Sequence, residues 1–308
     1  MALLFDLQLF DFLRRTVMDL HSEAVSKITV PRILDRKLEG CKITCLTAYD
    51  YPTARLVDEA GIDMILVGDS LGPVVLGYDS TIPVTVDDIL HHLRAVRRGV
   101  RRALVIADLP FGSYHTSPEQ ALEASIRYVK EGGAEAVKLE GGRKRAALIR
   151  QLVDAEIPVM GHIGLTPQSV NVFGGHRVQG KTLDAAADLL ADAQAVEDAG
   201  AFGIVLEGMP RELAAIITRR LRIPTIGIGA GPDCDGQVLV LHDLVGLTLG
   251  HRAKFVRAYA NVAETLRHAF SRFRDDVVAS RYPDDGESYH WPAGVREQFE
   301  KETMNAER

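Results

Sequence analysis

From about residue 42 to residue 240 the chain repeats one pattern: a short apolar run ending in a polar residue or glycine, then an amphipathic segment. The runs are Lys42–Ala48, Met64–Gly68, Leu104–Asp108, Ala136–Glu140, Pro158–His162, Gly203–Glu207, Pro224–Gly229 and Gln237–Val240. Brief, continuous stretches of Val and Ile suit strands covered on both faces, as in parallel sheets. The segments between them read as helices. Ile89, Leu93 and Val96 recur at helical spacing within Thr85–Arg98, and Leu189, Leu190, Ala193 and Val196 form an apolar stripe within Leu183–Ala199. Ser117–Glu131 is a third such segment. Eight strands alternating with helices predict a (β/α)₈ barrel, a fold that typically takes roughly 250 residues.

An open doubly wound sheet is the competing fold. It is disfavoured because no strand leads into a full dinucleotide fingerprint: Gly227-Ile-Gly-Ala-Gly231 comes closest, but Pro232 stands in the way of G-x-G-x-x-G. The expected organisation is therefore an α/β chain with one (β/α)₈ TIM-barrel catalytic domain and its C-terminal helix over 25–290. An extension over 1–24 precedes it and a charged tail over 291–308 follows. Ala258–Ala279 reads as the long helix, with Val262, Leu266, Phe270 and Phe273 apolar, and a Pro/Gly/Asp-rich stretch follows from Arg281 to Gly294. Met1–Leu13 is apolar but interrupted by Asp6 and Asp11, and its arginines follow the run, so it is a poor secretory signal. It also falls short of the roughly 20 residues needed to span a bilayer. It reads as an amphipathic segment packing on a neighbouring subunit, or as sequence upstream of a start at Met18.

Composition excludes several classes. With 46% hydrophobic and 25% charged residues the chain is neither disordered nor fibrous. A net charge of −6 argues against a nucleic-acid binder. Cys41, Cys45 and Cys234 form no C-x-x-C pair, so reduced thiols in a cytoplasmic protein are expected.

In a (β/α)₈ barrel the C-terminal ends of the strands surround the active site. Those ends read Asp69-Ser70, Asp108, Lys138 with Glu140, His162, and Glu207. A charge on a strand buried on both faces costs stability unless it is paired or metal-bound. One such acid is readily a helix N-cap; four converging on one mouth point to a cation among them. All-oxygen ligation favours Mg²⁺ over zinc, and Mg²⁺ takes only one or two carboxylates directly, leaving another acid free as a base. Lys138 shares a face with Glu140 and suits a substrate carboxylate, or simply balances the acids. His162 is open to three readings: metal ligand, substrate contact or hydrogen-bonded core residue.

Read with their flanks, these strand ends resemble the 3-methyl-2-oxobutanoate (ketopantoate) hydroxymethyltransferase family. The matching stretches include Thr47-Ala-Tyr-Asp50, Leu66-Val-Gly-Asp-Ser-Leu-Gly72, Asp79-Ser-Thr-Ile-Pro-Val-Thr85, Ala107-Asp-Leu-Pro-Phe111 and Val137-Lys-Leu-Glu-Gly-Gly142. Gly161-His-Ile-Gly-Leu-Thr-Pro-Gln-Ser169, Asn171-Val-Phe-Gly-Gly175, Val205-Leu-Glu207, Ile226-Gly-Ile-Gly-Ala-Gly231 and Gly236-Gln-Val-Leu-Val240 complete them. The resemblance implies an enzyme of pantothenate biosynthesis. It would transfer a hydroxymethyl group from 5,10-methylenetetrahydrofolate to 3-methyl-2-oxobutanoate with Mg²⁺. It further implies Asp69 and Asp108 as metal ligands, with Glu140 at the metal, and Asp69, Ser70, Asp108 and Lys138 as substrate-binding residues. Glu207 is then the proton acceptor. A cytoplasmic homodecamer acting on small molecules, with no nucleic-acid or membrane partner, is implied as well.

Two rivals remain at this level. A phosphoenolpyruvate mutase or isocitrate lyase type enzyme has a similar fold and metal use, but those lyases typically carry a cysteine in a Lys-Lys-Cys-Gly-His-type loop, and none of the three cysteines lies in one. A non-catalytic binding or assembly barrel would tolerate loss of an acid, yet every acid is present.

Overall fold

Eight parallel strands close on themselves in chain order: β1 Ile43–Thr47, β2 Met64–Val67, β3 Leu104–Asp108, β4 Ala136–Glu140, β5 Val159–Gly164, β6 Gly203–Glu207, β7 Thr225–Ile228 and β8 Gly236–Leu239. The last strand pairs with the first, Val238 opposite Cys45, so the sheet has no edge and the open-sheet alternative is excluded. The structure, a computed structural model, describes residues 26–250 and 252–306. The extension expected over 1–24 lies outside the described residues.

The helices are α1 Val30–Leu38, α2 Tyr51–Glu59, α3 Val86–Gly99, α4 Pro118–Arg127, α5 Ala146–Asp154, the short α6 Val170–Phe173, α7 Leu183–Asp198, α8 Arg211–Arg220, the short α9 Leu241–Leu244, α10 Val262–Val278 and α11 Val295–Ala306. Their starts follow local chemistry. Thr85 and Asp88 exchange hydrogen bonds as a capping box ahead of α3. Asp50, Ser117 and Thr182 each accept a backbone N–H at the start of α2, α4 and α7.

Strand–helix alternation fails at one place. No helix lies between β7 and β8, and the chain returns through the glycine-rich segment that superficially resembles a nucleotide-binding turn. Gly231 has φ +82° there, and a Cβ on it would collide with Arg211. That return needs glycine for conformation and closeness to Arg211. The side-chain amide of Gln237 on β8 donates to the Gly231 carbonyl at 2.9 Å and holds the turn.

Alternate strand residues point into the barrel. At the N-terminal end they are apolar: Ile43, Met64, Leu104, Ala136, Met160 and Ile226 belong to one buried cluster. Ile28 and the fully buried Ile33 of α1 join that cluster and close this end of the barrel.

The described chain separates into two units. The barrel belongs to the first, which runs to Leu244 and includes Gly250–Arg257. The second contains Val245–Leu249 and the chain from Ala258 onward. Within it, α10 starts at Val262, four residues inside the expected Ala258–Ala279, and Phe270 and Phe273 are exposed. In the charged tail Val295–Ala306 is helical, as α11, with Phe299 against Trp291.

Candidate active site

The same period-two alternation that makes the barrel floor apolar makes its C-terminal mouth charged. On β3 the inward series runs Leu104, Ile106, Asp108; on β4, Ala136, Lys138, Glu140; on β5, Met160, His162; on β6, Gly203, Val205, Glu207. Parallel register then sets Asp108 beside Lys138 and Glu140 beside His162. Asp69 and Ser70 follow β2 after one residue, Gly68. Glu207 is held by a close approach of β5: Gly164 has φ +97°, the Leu165 N–H donates to the Glu207 carbonyl at 2.8 Å, and a Cβ on Gly164 would strike that oxygen. Only glycine fits there.

All the singled-out groups except Ser70 and Glu207 are buried; those two are partly exposed. Lys138 Nζ pairs with Asp108 Oδ1 at 2.8 Å and lies 3.4 Å from His162 Nδ1. His162 Nε2 is 3.2 Å from Glu207 Oε2, and its Nδ1 is 3.5 Å from Glu140 Oε1. The Asp69 N–H donates to Asp108 Oδ2 at 3.3 Å. Ser70 Oγ is 2.7 Å from the hydroxyl of the buried Tyr49. The structure thus brings together Asp69, Ser70, Asp108, Lys138, Glu140, His162 and Glu207 at one mouth.

Electrostatics follow from three nearly waterless acids facing one lysine. Burial, followed by the charge of Asp108, pushes the Asp69 carboxyl up to about 7. Glu140 is raised well above the ordinary carboxylate range, chiefly by burial, with Asp69 and Asp108 adding to it against the pull of Lys138. Burial draws Lys138 downward, but Asp108, Glu140 and Asp69 outweigh it and keep the amine protonated. His162 is lowered by burial and by Lys138, so it is neutral. A protonated Lys138 can only donate, so Nδ1 of the neutral ring is the acceptor and Nε2 carries the hydrogen; Nε2 makes no hydrogen bond, although Glu207 is near.

The donor set fits a hard divalent cation. It consists of carboxylate oxygens, negative charge exceeds positive, and Glu140 Oε1 is buried without a hydrogen bond. Among the described residues no three His, Cys, Asp or Glu side chains close round one point as a ready cage. Mg²⁺ takes only one or two carboxylates directly and keeps water in its other positions, so it does not require such a cage.

Three site residues escape a reading of strand ends. Tyr49 backs Ser70. Gln168, in the turn after β5, donates through its side chain to Asp69 Oδ2 at 2.8 Å and through its backbone to Glu140 Oε2 at 3.1 Å. Tyr114, in the loop after β3, donates to Gln168 Oε1 at 2.7 Å. The available signal was Gln168's place inside the long Gly161–Ser169 block.

A model of the ketopantoate hydroxymethyltransferase family matches residues 27–285. The chain belongs to that family. It is 61% identical over 267 residues to 3-methyl-2-oxobutanoate hydroxymethyltransferase of Koribacter versatilis, covering 87% of this chain and 90% of the relative. To the enzyme of the same name from Thermobifida fusca it is 58% identical, covering 85% and 94%. Membership makes the chain an enzyme, a hydroxymethyltransferase, and sets aside the non-catalytic barrel. Among solved structures, a phosphonopyruvate hydrolase in complex with oxalate and Mg²⁺ matches with a TM-score of 0.56 at 16% identity, covering 90% of this chain and 97% of that one. A 2,3-dimethylmalate lyase of the phosphoenolpyruvate mutase/isocitrate lyase superfamily matches at 0.51 and 18%, with 90% and 97% covered. At such identities the likeness is one of fold. Among the described residues no helix is long and apolar enough to cross a membrane.

Proposed function

We propose that the barrel mouth transfers a hydroxymethyl group from 5,10-methylenetetrahydrofolate to 3-methyl-2-oxobutanoate, giving 2-dehydropantoate and tetrahydrofolate with consumption of one water, a step of pantothenate biosynthesis. One observation carries this reading: Asp69, Asp108 and Glu140 are buried around a single lysine, while a fourth acid, Glu207, is partly open and lies beside His162. Asp69 and Asp108 would hold a Mg²⁺ ion directly and Glu140 would hold it through water. When bound, the ion supplies a Lewis acid for the 2-oxo and carboxylate oxygens of the substrate, stabilising charge as it develops on the keto oxygen.

The chain's own residues supply the remainder. Lys138, kept protonated by its acidic neighbours, and Ser70, steadied by Tyr49, hold the substrate carboxylate so that C3 is presented to Glu207. Glu207 takes the C3 proton. Neutral His162 lies with Nε2 3.2 Å from Glu207 Oε2 and adds no charge to the base. The electron pair left on C3 forms the new C–C bond to the one-carbon unit; both methylene C–N bonds to the folate break, water supplies the hydroxyl oxygen, and the C3 proton with one proton of that water ends on the two folate nitrogens.

The reading is tested without folate by following deuterium incorporation at C3 of 3-methyl-2-oxobutanoate in D₂O. Exchange that requires Mg²⁺ is expected. Absence of exchange with oxo acid and Mg²⁺ both bound overturns the assignment of Glu207 as base.

A further inference from the structure

Gln168 is a neutral side chain that reaches the acid cluster from the turn after β5, and both ends of its amide are used. Its side-chain nitrogen has two hydrogens: one goes to Asp69 Oδ2 at 2.8 Å, the other to the Leu109 carbonyl at 3.0 Å. Its side-chain oxygen accepts from the Tyr114 hydroxyl at 2.7 Å, which fixes which end of the amide faces Asp69. Its backbone N–H donates to Glu140 Oε2 at 3.1 Å, and the Glu140 N–H in turn donates to the Tyr114 hydroxyl at 3.3 Å. Gln168 is 4% exposed and Tyr114 3%. A single residue thus engages one oxygen of each of two acids contributed by different strands. The other oxygen of each is left for a cation or its waters, and in Glu140 that oxygen, Oε1, is buried with no hydrogen bond at all.

The chemical type matters. A lysine or arginine at this position would orient Asp69 equally well but would supply the positive charge that the cluster lacks, and so compete with an ion. A neutral amide fixes the carboxylate and leaves its charge available.

We propose that Gln168 is a positioning residue for the divalent ion, presetting the carboxylates of Asp69 and Glu140 in the orientation that binds it. The inference rests on the cation reading of the barrel mouth. Partners of this kind, which touch ligands and not the metal, typically change metal affinity by about 10–100-fold when removed.

The test uses Mn²⁺ alone as the probe, with binding read from loss of the free-ion electron paramagnetic resonance signal. Gln168→Met keeps the length and bulk of the side chain and removes both of its polar groups. Its Mn²⁺ dissociation constant is expected to rise about 10–100-fold over the wild-type protein, with turnover largely restored at saturating Mg²⁺. A packing role would lower the melting temperature and leave Mn²⁺ affinity alone. Affinity within twofold of wild type, in a variant that melts cooperatively, overturns the proposal. Should Gln168→Met fail to fold, Gln168→Asn, which keeps the amide but withdraws it from Asp69, carries the test on the same criterion. If the wild-type protein itself takes up no Mn²⁺, the cation reading fails first, an outcome distinct from equal binding by wild type and variant.

Discussion

Both ends of the barrel carry acids, Asp63 buried and Asp235 and Glu135 half-buried at one end, and the two ends treat them in opposite ways. At the N-terminal end, Asp63 accepts the Thr44 N–H and hydroxyl at 3.0 and 2.9 Å and pairs with Arg36 and Arg102 at 2.9 and 3.0 Å. Asp235 accepts the Thr225 N–H at 2.8 Å and pairs with Lys37 at 2.6 Å. Glu135 likewise accepts the Val105 N–H at 3.0 Å and pairs with Lys27 at 2.6 Å. Each of these carboxylates has a local cation and a backbone donor from a neighbouring strand, so it ties strands together. At the C-terminal end Asp69, Asp108 and Glu140 share Lys138, and burial drives Asp69 and Glu140 toward holding protons. The lesson is that a buried acid alone says little about function. What distinguishes chemistry from architecture is whether the protein itself satisfies the charge.

Four substitutions sharpen or break that contrast. Glu207→Gln removes the proposed proton acceptor and should reduce turnover by about 1000-fold, while Mg²⁺-dependent binding of the oxo acid, followed calorimetrically, stays near wild type. Loss of that binding along with turnover would reassign Glu207 to the ion. Asp108→Asn should raise the Mg²⁺ concentration for half-maximal rate by about 100-fold or more; an unchanged requirement rejects its role as ligand.

At the opposite end, Asp63→Asn leaves two arginines without their buried partner. It should cost about 2–4 kcal/mol in denaturant unfolding, with turnover per folded molecule unchanged. A drop in turnover without a drop in stability would erase the distinction between the ends.

Asp69→Asn should do the reverse, removing metal affinity yet stabilising the metal-free protein by about 1–2 kcal/mol at pH 8. The sign follows from the shift. An acid whose carboxyl is raised to about 7 in the folded state, against an ordinary value near 3.8, binds its proton more tightly folded than unfolded. The penalty for ionising it is therefore fully present above pH 7 and absent below about pH 4. Melting curves of both proteins at pH 8 and pH 4 measure this, and a variant less stable at pH 8 contradicts it.

Most of the barrel was legible because one physical constraint, alternation on a strand covered from both sides, sets floor and mouth alike. Leu104–Asp108, Ala136–Glu140 and Gly203–Glu207 are strands with the very limits their composition implies. β5 runs two residues past His162, to Gly164, because Gly164 is drawn against the Glu207 backbone, a contact no periodicity encodes. The missing helix between β7 and β8 was hidden by a glycine pattern compatible with either a helix start or a tight return. Gln168 and Tyr114 were illegible for a related reason: they reach the acids from loops, across sequence separations of 99 residues for Gln168 to Asp69 and 54 for Tyr114 to Gln168. The satisfied acids at the N-terminal end were equally silent, since only the fold reveals which arginines meet Asp63. In α10 the spacing of Val262, Leu266, Phe270 and Phe273 specifies a helix but carries no information about what its apolar face meets.

If the acids at the mouth are left unsatisfied for a divalent ion, as proposed, an ion must lie between them when the oxo acid is bound. Anomalous scattering from crystals grown with Mn²⁺ and 3-methyl-2-oxobutanoate tests it most directly. The expected result is a single peak within coordination distance of one oxygen each of Asp69 and Asp108, with Glu140 one water away and the oxo acid beside Lys138. A peak elsewhere, or none with the oxo acid in place, contradicts the account.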